Sequence, residues 1–181
     1  MAKTREIILG VTGSIAAYKA CDIIRRLQDN GYAVTVVMTK GAEHFITPLT
    51  LASLSGREVY RDMFDEKEEA WQMNHILMGQ RADILLIAPA TANIIGKIAS
   101  GIADDLLSCV AITTKAKILI APAMNEEMYK NKIVQGNIAK LKNLGVHFID
   151  PVHGKLACGT IGEGHLADVE DIVDRVVRLL K

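Results

Sequence analysis

The sequence predicts a single α/β domain over residues 1–181. It should hold one doubly wound, mainly parallel sheet with helices on both faces, a Rossmann- or flavodoxin-like three-layer sandwich. Three observations lead there. Apolar runs of strand length alternate with helix-period segments from one end of the chain to the other, the pattern of successive βαβ units with right-handed crossovers. The strand candidates are apolar almost throughout rather than at every second position, as a parallel sheet covered on both faces requires. The chain has 181 residues, half of them hydrophobic, enough to bury about 70% of its unfolded surface in one domain.

The expected strands span residues 7–12, 33–38, 84–88, 117–121 and 146–149. The first helix is expected over 14–30, with Ile15, Ala16, Ile23, Ile24 and Leu27 in helical spacing and Gly31 ending it. Further helices are expected over 42–53, 74–80, 92–100, 104–113, 126–144 and 168–180. Pro122 ends the strand at 117–121, because it has no N–H to give a ladder. The strand order is not readable, although 3-2-1-4-5 is a common arrangement. Residues 56–73 are polar, with Glu66, Lys67, Glu68 and Glu69 together, and read as a solvated loop or short helix. Residues 150–167 carry Gly154, Gly159, Gly162 and Gly164 with no secondary-structure period, and read as a functional loop such as a lid. There is no internal repeat, no low-complexity tract and no domain linker.

Composition removes several classes of function. Lysine plus arginine equals aspartate plus glutamate, 21 each. The neutral balance argues against a nucleic-acid footprint and favours self-association. No apolar run approaches the ~20 residues of a membrane span, and the first residues show no signal-peptide pattern. Three widely spaced cysteines speak against a disulfide framework and for a reduced, cytoplasmic setting. Cys21 and Cys109 fall in amphipathic helices and read as buried hydrophobes. No metal is expected.

The candidate site gathers where strands end, since ligands of open α/β sheets bind outside the carboxyl ends. After the first strand comes Gly10-Val-Thr-Gly13-Ser14-Ile15, which is neither Gly-x-Gly-x-x-Gly nor a Walker A loop. What remains is a Gly-Ser turn opening a helix. It is either a structural turn capped by Ser14 or an anion site for one phosphate. Thr39 ends the second strand on the same side. The third ends in Pro89-Ala-Thr91-Ala92-Asn93, bringing a hydroxyl and an amide to a strand-to-helix corner. The fourth ends in Pro122-Ala123-Met124-Asn125-Glu-Glu-Met-Tyr129, where Asn125 either caps the next helix or points its amide at a ligand.

The Pro122–Tyr129 string resembles a signature of the flavin-containing cysteine decarboxylases. That family includes the phosphopantothenoylcysteine decarboxylases of coenzyme A synthesis and the lantibiotic peptide decarboxylases. Pro89–Asn93 resembles the family's second signature, and the Gly-Ser-Ile turn and Ala157-Cys158-Gly159 match two more. The family position of Tyr129 is often Trp. Many relatives carry Asp and Arg where this chain has Thr160 and His165.

The resemblance implies flavin mononucleotide as cofactor, held by Gly13, Ser14, Ile15, Thr39, Pro89, Thr91, Ala92, Asn93 and Ala123. It implies His75 as active-site base and Cys158 as proton donor, with Asn125, Met124 and Ala157 binding substrate. The implied reaction converts (R)-4′-phospho-N-pantothenoylcysteine, a small-molecule thiol, to 4′-phosphopantetheine. Its alternatives are oxidative decarboxylation of a peptidyl cysteine and flavin binding without turnover. Cys158 favours the first, because peptide decarboxylases stop at the enethiol. Flavin prenyltransferases share the fold but not Met124-Asn125 and Cys158. The remaining histidines, His44, His147, His153 and His165, read as surface or packing residues. The resemblance further implies a homo-oligomer, trimer or dodecamer, and a separate phosphopantothenate–cysteine ligase if the chain is stand-alone rather than an excised domain.

Overall fold

The computed structural model describes residues 4–63, 74–155, 159 and 161–181. Six strands form one parallel sheet: β1 (Glu6–Val11), β2 (Ala33–Met38), β3 (Val59–Tyr60), β4 (Ile84–Ala90), β5 (Lys117–Pro122) and β6 (His147–Phe148). Their order is β3-β2-β1-β4-β5-β6. The helices are α1 (Ala20–Asp29), α2 (Pro48–Ser55), α3 (Asn74–Arg81), α4 (Ala92–Ser100), α5 (Leu106–Thr113), α6 (Glu126–Lys130), α7 (Lys132–Asn143) and α8 (Val169–Leu180).

The pleat explains why the strands are apolar at every position. In β1, Ile7, Leu9 and Val11 face a core shared with α1, α2 and α8, whereas Ile8 faces a second core shared with α3, α4, α5 and α7. In β4, Ile84, Leu86 and Ala88 join the first core, and Leu85 and Ile87 the second. Each strand thus needs an apolar residue on both sides of the pleat. The result is three layers.

Five expectations are corrected. The edge strand β3 lies inside the segment read as loop or short helix. It takes the third place in the chain and moves Ile84–Ala90 to the centre of the sheet. The helix expected over 42–53 is a single 3-10 turn, Ala42–His44, followed by α2. Pro48 disfavours helical geometry at Thr47, and the Thr47 hydroxyl instead accepts the Thr50 N–H at 3.2 Å. The helix expected over 126–144 breaks at Asn131, which is extended (φ −60°, ψ 130°) and caps α7 by accepting from the Ile133 N–H at 2.9 Å. An asparagine offers the backbone this local alternative to a continuous helix.

The described parts of the glycine-rich stretch form strands rather than an irregular loop. Val152–Lys155 (β7) and Ile161–His165 (β8) pair antiparallel as a hairpin. Cys21 and Cys109 are half-buried rather than buried, and burial still pushes both thiols up in pKa. His44 and His153 are exposed, and His147 and His165 are half-buried. Among the described residues no helix is long and apolar enough to cross a membrane.

Candidate functional site at the strand ends

The chain leaves β1 towards β2 and β3, then returns to β4 and runs the other way. The carboxyl ends of β1 and β4 therefore flank the topological switch point, where a doubly wound sheet opens its crevice. Four of the strand ends at this rim are stitched together side by side. Thr39 N–H donates to Val11 O at 3.0 Å, joining β2 to β1. Thr12 hydroxyl donates to Pro89 O at 2.7 Å and accepts from Thr91 N–H at 3.0 Å, joining β1 to β4. Ala123 N–H donates to Ala90 O at 2.9 Å, joining β4 to β5. Met124 N–H then donates to Gly164 O at 3.0 Å, joining β5 to the hairpin.

Thr12 was not among the sequence candidates. It is 1% exposed, and its hydroxyl is both donor and acceptor across the switch point. The only signal for it was a hydroxyl ending an apolar run, which reads equally well as a strand residue.

Several of the expected residues lie along this rim. Ser14 caps a short 3-10 turn, Ile15–Lys19, and its hydroxyl accepts the Ala16 N–H at 3.3 Å. Gly13 passes so close to Gly41 that an added Cβ would lie 3.0 Å from the Gly41 carbonyl. The loops after β1 and β2 therefore meet backbone to backbone. Thr39 is half-buried, with its hydroxyl 3.5 Å from Val11 O. Pro89 is the penultimate residue of β4, and Ala92 opens α4. Thr91 holds the N-cap position of α4, yet its hydroxyl makes no capping bond. Asn93 is exposed.

On β5, Ala123 is 3% exposed, Met124 packs against the second core, and Asn125 caps α6 by accepting the Glu127 N–H at 2.9 Å. Its Nδ2 group is the donor of the pair, so the cap and an amide offered to a ligand are compatible. Tyr129 is half-buried against the second core, and burial pushes its phenol up in pKa.

His75 stands in the first turn of α3; its side chain lies outside the described residues. The far end of α3 is pinned beside the end of α5, with Thr114 hydroxyl donating to Gly79 O at 3.0 Å. Since α5 leads into the start of β5, this is the amino end of the sheet, and α3 rises from there with its first turn towards the rim. Ala157, Cys158 and Thr160 lie outside the described residues.

Behind the rim, Lys97 bridges Asp104 at 2.7 Å and Asp105 at 2.6 Å. Burial opposes the Asp105 charge, but the Lys97 and Ser108 hydrogen bonds overcome it and hold the carboxyl below its usual range. Asp105 also caps α5 through the Ser108 N–H at 2.8 Å.

The donor set suits a phosphorylated polyol carrying a flat ring. It offers a turn with a helix-like N-terminus, three hydroxyls (Ser14, Thr39, Thr91), an exposed amide at Asn93, and the 56% exposed side chain of Ile15 as an apolar surface. The fold and rim define a protein of the doubly wound α/β class with its ligand-binding rim at the switch point.

The chain belongs to the Flavoprotein family, whose profile matches residues 1–181. It is 44% identical over 175 residues to a probable phosphopantothenoylcysteine decarboxylase of Streptococcus mutans, covering 96% of this chain and 97% of that protein. It is 45% identical over 173 residues to the coenzyme A biosynthesis bifunctional protein CoaBC of Bacillus subtilis, covering 96% of this chain. The chain spans 42% of the length of that bifunctional relative and of those from Vibrio vulnificus. Among solved structures, a PPC decarboxylase variant complexed with pantothenoylaminoethenethiol superposes with a TM-score of 0.86 at 31% identity, covering 97% of this chain and 98% of that one. The FMN-binding protein AtHal3 gives 0.82 at 31% identity, covering 97% and 96%.

Proposed function

We propose that residues 1–181 form one catalytic domain that decarboxylates (R)-4′-phospho-N-pantothenoylcysteine to 4′-phosphopantetheine in coenzyme A synthesis, in the cytoplasm. The observation that carries this reading is the hydrogen bond between Ala123 N–H and Ala90 O, 2.9 Å long. It sets the Met124–Asn125 string beside the Pro89–Asn93 string, so two separate sequence signatures become one wall. The Streptococcus mutans relative, similar along nearly all of both chains, supports the same substrate.

Flavin mononucleotide is the cofactor of this reading, since the turn after β1 suits one phosphate. Gly13, Ser14 and Ile15 would receive that phosphate, with Thr39, Pro89, Thr91, Ala92, Asn93 and Ala123 along the rest of the cofactor. Bound flavin supplies two-electron oxidation of the cysteine moiety and the later return of those electrons. The Asn125 amide would hold the substrate carboxylate beside Met124 and Ala157. A neutral donor binds the carboxylate without an ion pair that would oppose its loss. His75 would accept a proton and Cys158 would return one to the product.

A homo-oligomer, trimer or dodecamer, completes the reading. It is supported by exposed apolar residues on the segments after β1 and β2: Tyr18 at 58%, Phe45 at 47% and, at the start of α2, Leu49 at 75%. A separate phosphopantothenate–cysteine ligase would supply the substrate. The test is incubation of the purified yellow protein with phosphopantothenoylcysteine. Carbon dioxide and phosphopantetheine should form one to one, and the released cofactor should have the mass of flavin mononucleotide. Neither product forming, or a colourless protein that rejects added flavin, overturns the proposal.

A further inference from the structure

Among the described residues, the hairpin meets the segment that follows β5 at two places. One is the backbone bond from Met124 N–H to Gly164 O, 3.0 Å. The other is a side chain. The Glu126 carboxylate accepts from Lys130 Nζ at 2.6 Å and lies 3.4 Å from the Glu163 N–H on β8. The same carboxylate lies flat against Gly162, so that a Cβ there would fall inside contact distance of Oε2 and 2.5 Å from Cδ. At Gly164 an added Cβ would collide with the Met124 carbonyl, and its φ of 137° suits only glycine. Two glycines of β8 are therefore fitted to the segment that carries Met124, Asn125 and Glu126.

Glu126 is the residue after Asn125, in the first turn of α6. Lys130 follows one turn later on the same helix, so the pair turns the carboxylate into a fixed acceptor on the α6 surface. On the hairpin side, His153 pairs with Glu163 across the two strands and is among the neighbours that favour the Glu126 carboxylate, after Lys130 and the Glu163 N–H. The contact uses a side chain at the start of α6 to set the register of a hairpin that, among the described residues, has one backbone bond to the segment after β5.

We propose that Glu126 is a positioning residue: its carboxylate, braced by Lys130, registers the β7–β8 hairpin against Asn125 and so fixes what the hairpin brings to the substrate. The consequence for catalysis rests on the function proposed above, in which residues joining β7 to β8 return a proton to the product. The registration itself does not depend on that reading.

The experiment uses the purified full chain with its cofactor and three variants. Glu126→Ala removes the acceptor, Glu126→Gln keeps one acceptor oxygen, and Gly162→Ala drives a methyl group into the carboxylate. Hydrogen exchange at residues 161–165 should speed up about tenfold in Glu126→Ala and in Gly162→Ala. It should return most of the way in Glu126→Gln, while the α8 amides stay as in the unaltered protein. Gly162→Ala should add less than twofold in the Glu126→Ala background, because the atom it displaces is gone. With phosphopantothenoylcysteine, Glu126→Ala should still release carbon dioxide but shift product towards the unsaturated enethiol. Unchanged exchange at 161–165 in Glu126→Ala, or Gly162→Ala acting equally in both backgrounds, overturns the proposal. An inactive unaltered protein with the exchange pattern intact overturns only the function.

Discussion

At the junction of β1 and β4 the contacts run through Thr12, a neutral side chain 1% exposed whose hydroxyl serves both strands. At the junction of β5 and the hairpin they run through one backbone bond and the surface carboxylate of Glu126. Both junctions border the same row of strand ends, yet they are built from different materials. The first buries its polar atoms and satisfies every one, which fixes a geometry at high cost to any change. The second leaves its charged pair in reach of water, where ion pairs are weak and replaceable. A cofactor that stays bound asks for the first kind of wall. A substrate that enters, reacts and leaves asks for the second. Under the proposed function, the Thr12 side would hold cofactor and the Glu126 side would handle substrate, and three experiments probe that division.

The largest effect is expected from Thr12→Val. Valine keeps the shape but strands Pro89 O and Thr91 N–H without their partner. Buried groups left unpaired cost about 1–3 kcal/mol each, so urea unfolding should show a loss of about 2–4 kcal/mol. Flavin titration by fluorescence should show at least about tenfold weaker binding, since 1.4 kcal/mol of distortion at the switch point suffices for that. Thr12→Ser retains donor and acceptor and should recover most of both. A Thr12→Val protein with unaltered stability would erase the contrast between the two walls.

Asn125 stands at the seam, capping α6 while carrying the amide assigned to the substrate. Asn125→Asp separates the two roles. Aspartate caps as well as asparagine, so stability should stay within about 0.5 kcal/mol of the original. It offers a like charge to the substrate carboxylate, so kcat/KM for phosphopantothenoylcysteine should fall about 100-fold, about 2.7 kcal/mol. If stability and turnover both stay as in the unaltered protein, Asn125 is a cap and nothing more.

The sequence made some of this legible and hid the rest for identifiable reasons. Pro89 and Pro122 mark the ends of β4 and β5, so the residues after them could be placed on the rim without knowing the strand order. Thr12 could not be, because its role arises only when β1 lies beside β4, a contact across 77 residues. The edge strand Val59–Tyr60 is two residues long, too short to carry a period. The hairpin was unreadable because Gly154, Gly162 and Gly164 remove the alternation that reveals a strand. Those glycines answer to Met124, Glu126 and His165 across space, not to their sequence neighbours. Local chemistry near a chain punctuation mark was readable; contacts between distant segments were not.

The smallest effect expected is a response to acid, and it separates the walls without any substitution. Lys130, followed by the Glu163 N–H, holds the Glu126 carboxyl below its usual range. A carboxyl depressed in the folded state contributes stability above its unfolded pKa, about 4.3, and loses it as pH falls through the folded value. The groups around it are Lys130 and Glu127 on α6 and His153 and Glu163 on the hairpin. Lys130 stays cationic through this range, so protonation of Glu126 leaves it without the counter-charge that sits 2.6 Å away. Below about pH 4, exchange at residues 161–165 should therefore rise severalfold over its intrinsic rate. The Thr91 amide, bonded to a hydroxyl that does not titrate, should keep its protection over the same range. The nearby Asp105 carboxyl is also depressed, so loss of the α5 cap should appear separately, at the Ser108 amide. Parallel loss at Thr91 and at 161–165 would mean that the strand ends and the hairpin open as one unit, and the assignment of separate duties to them would fall.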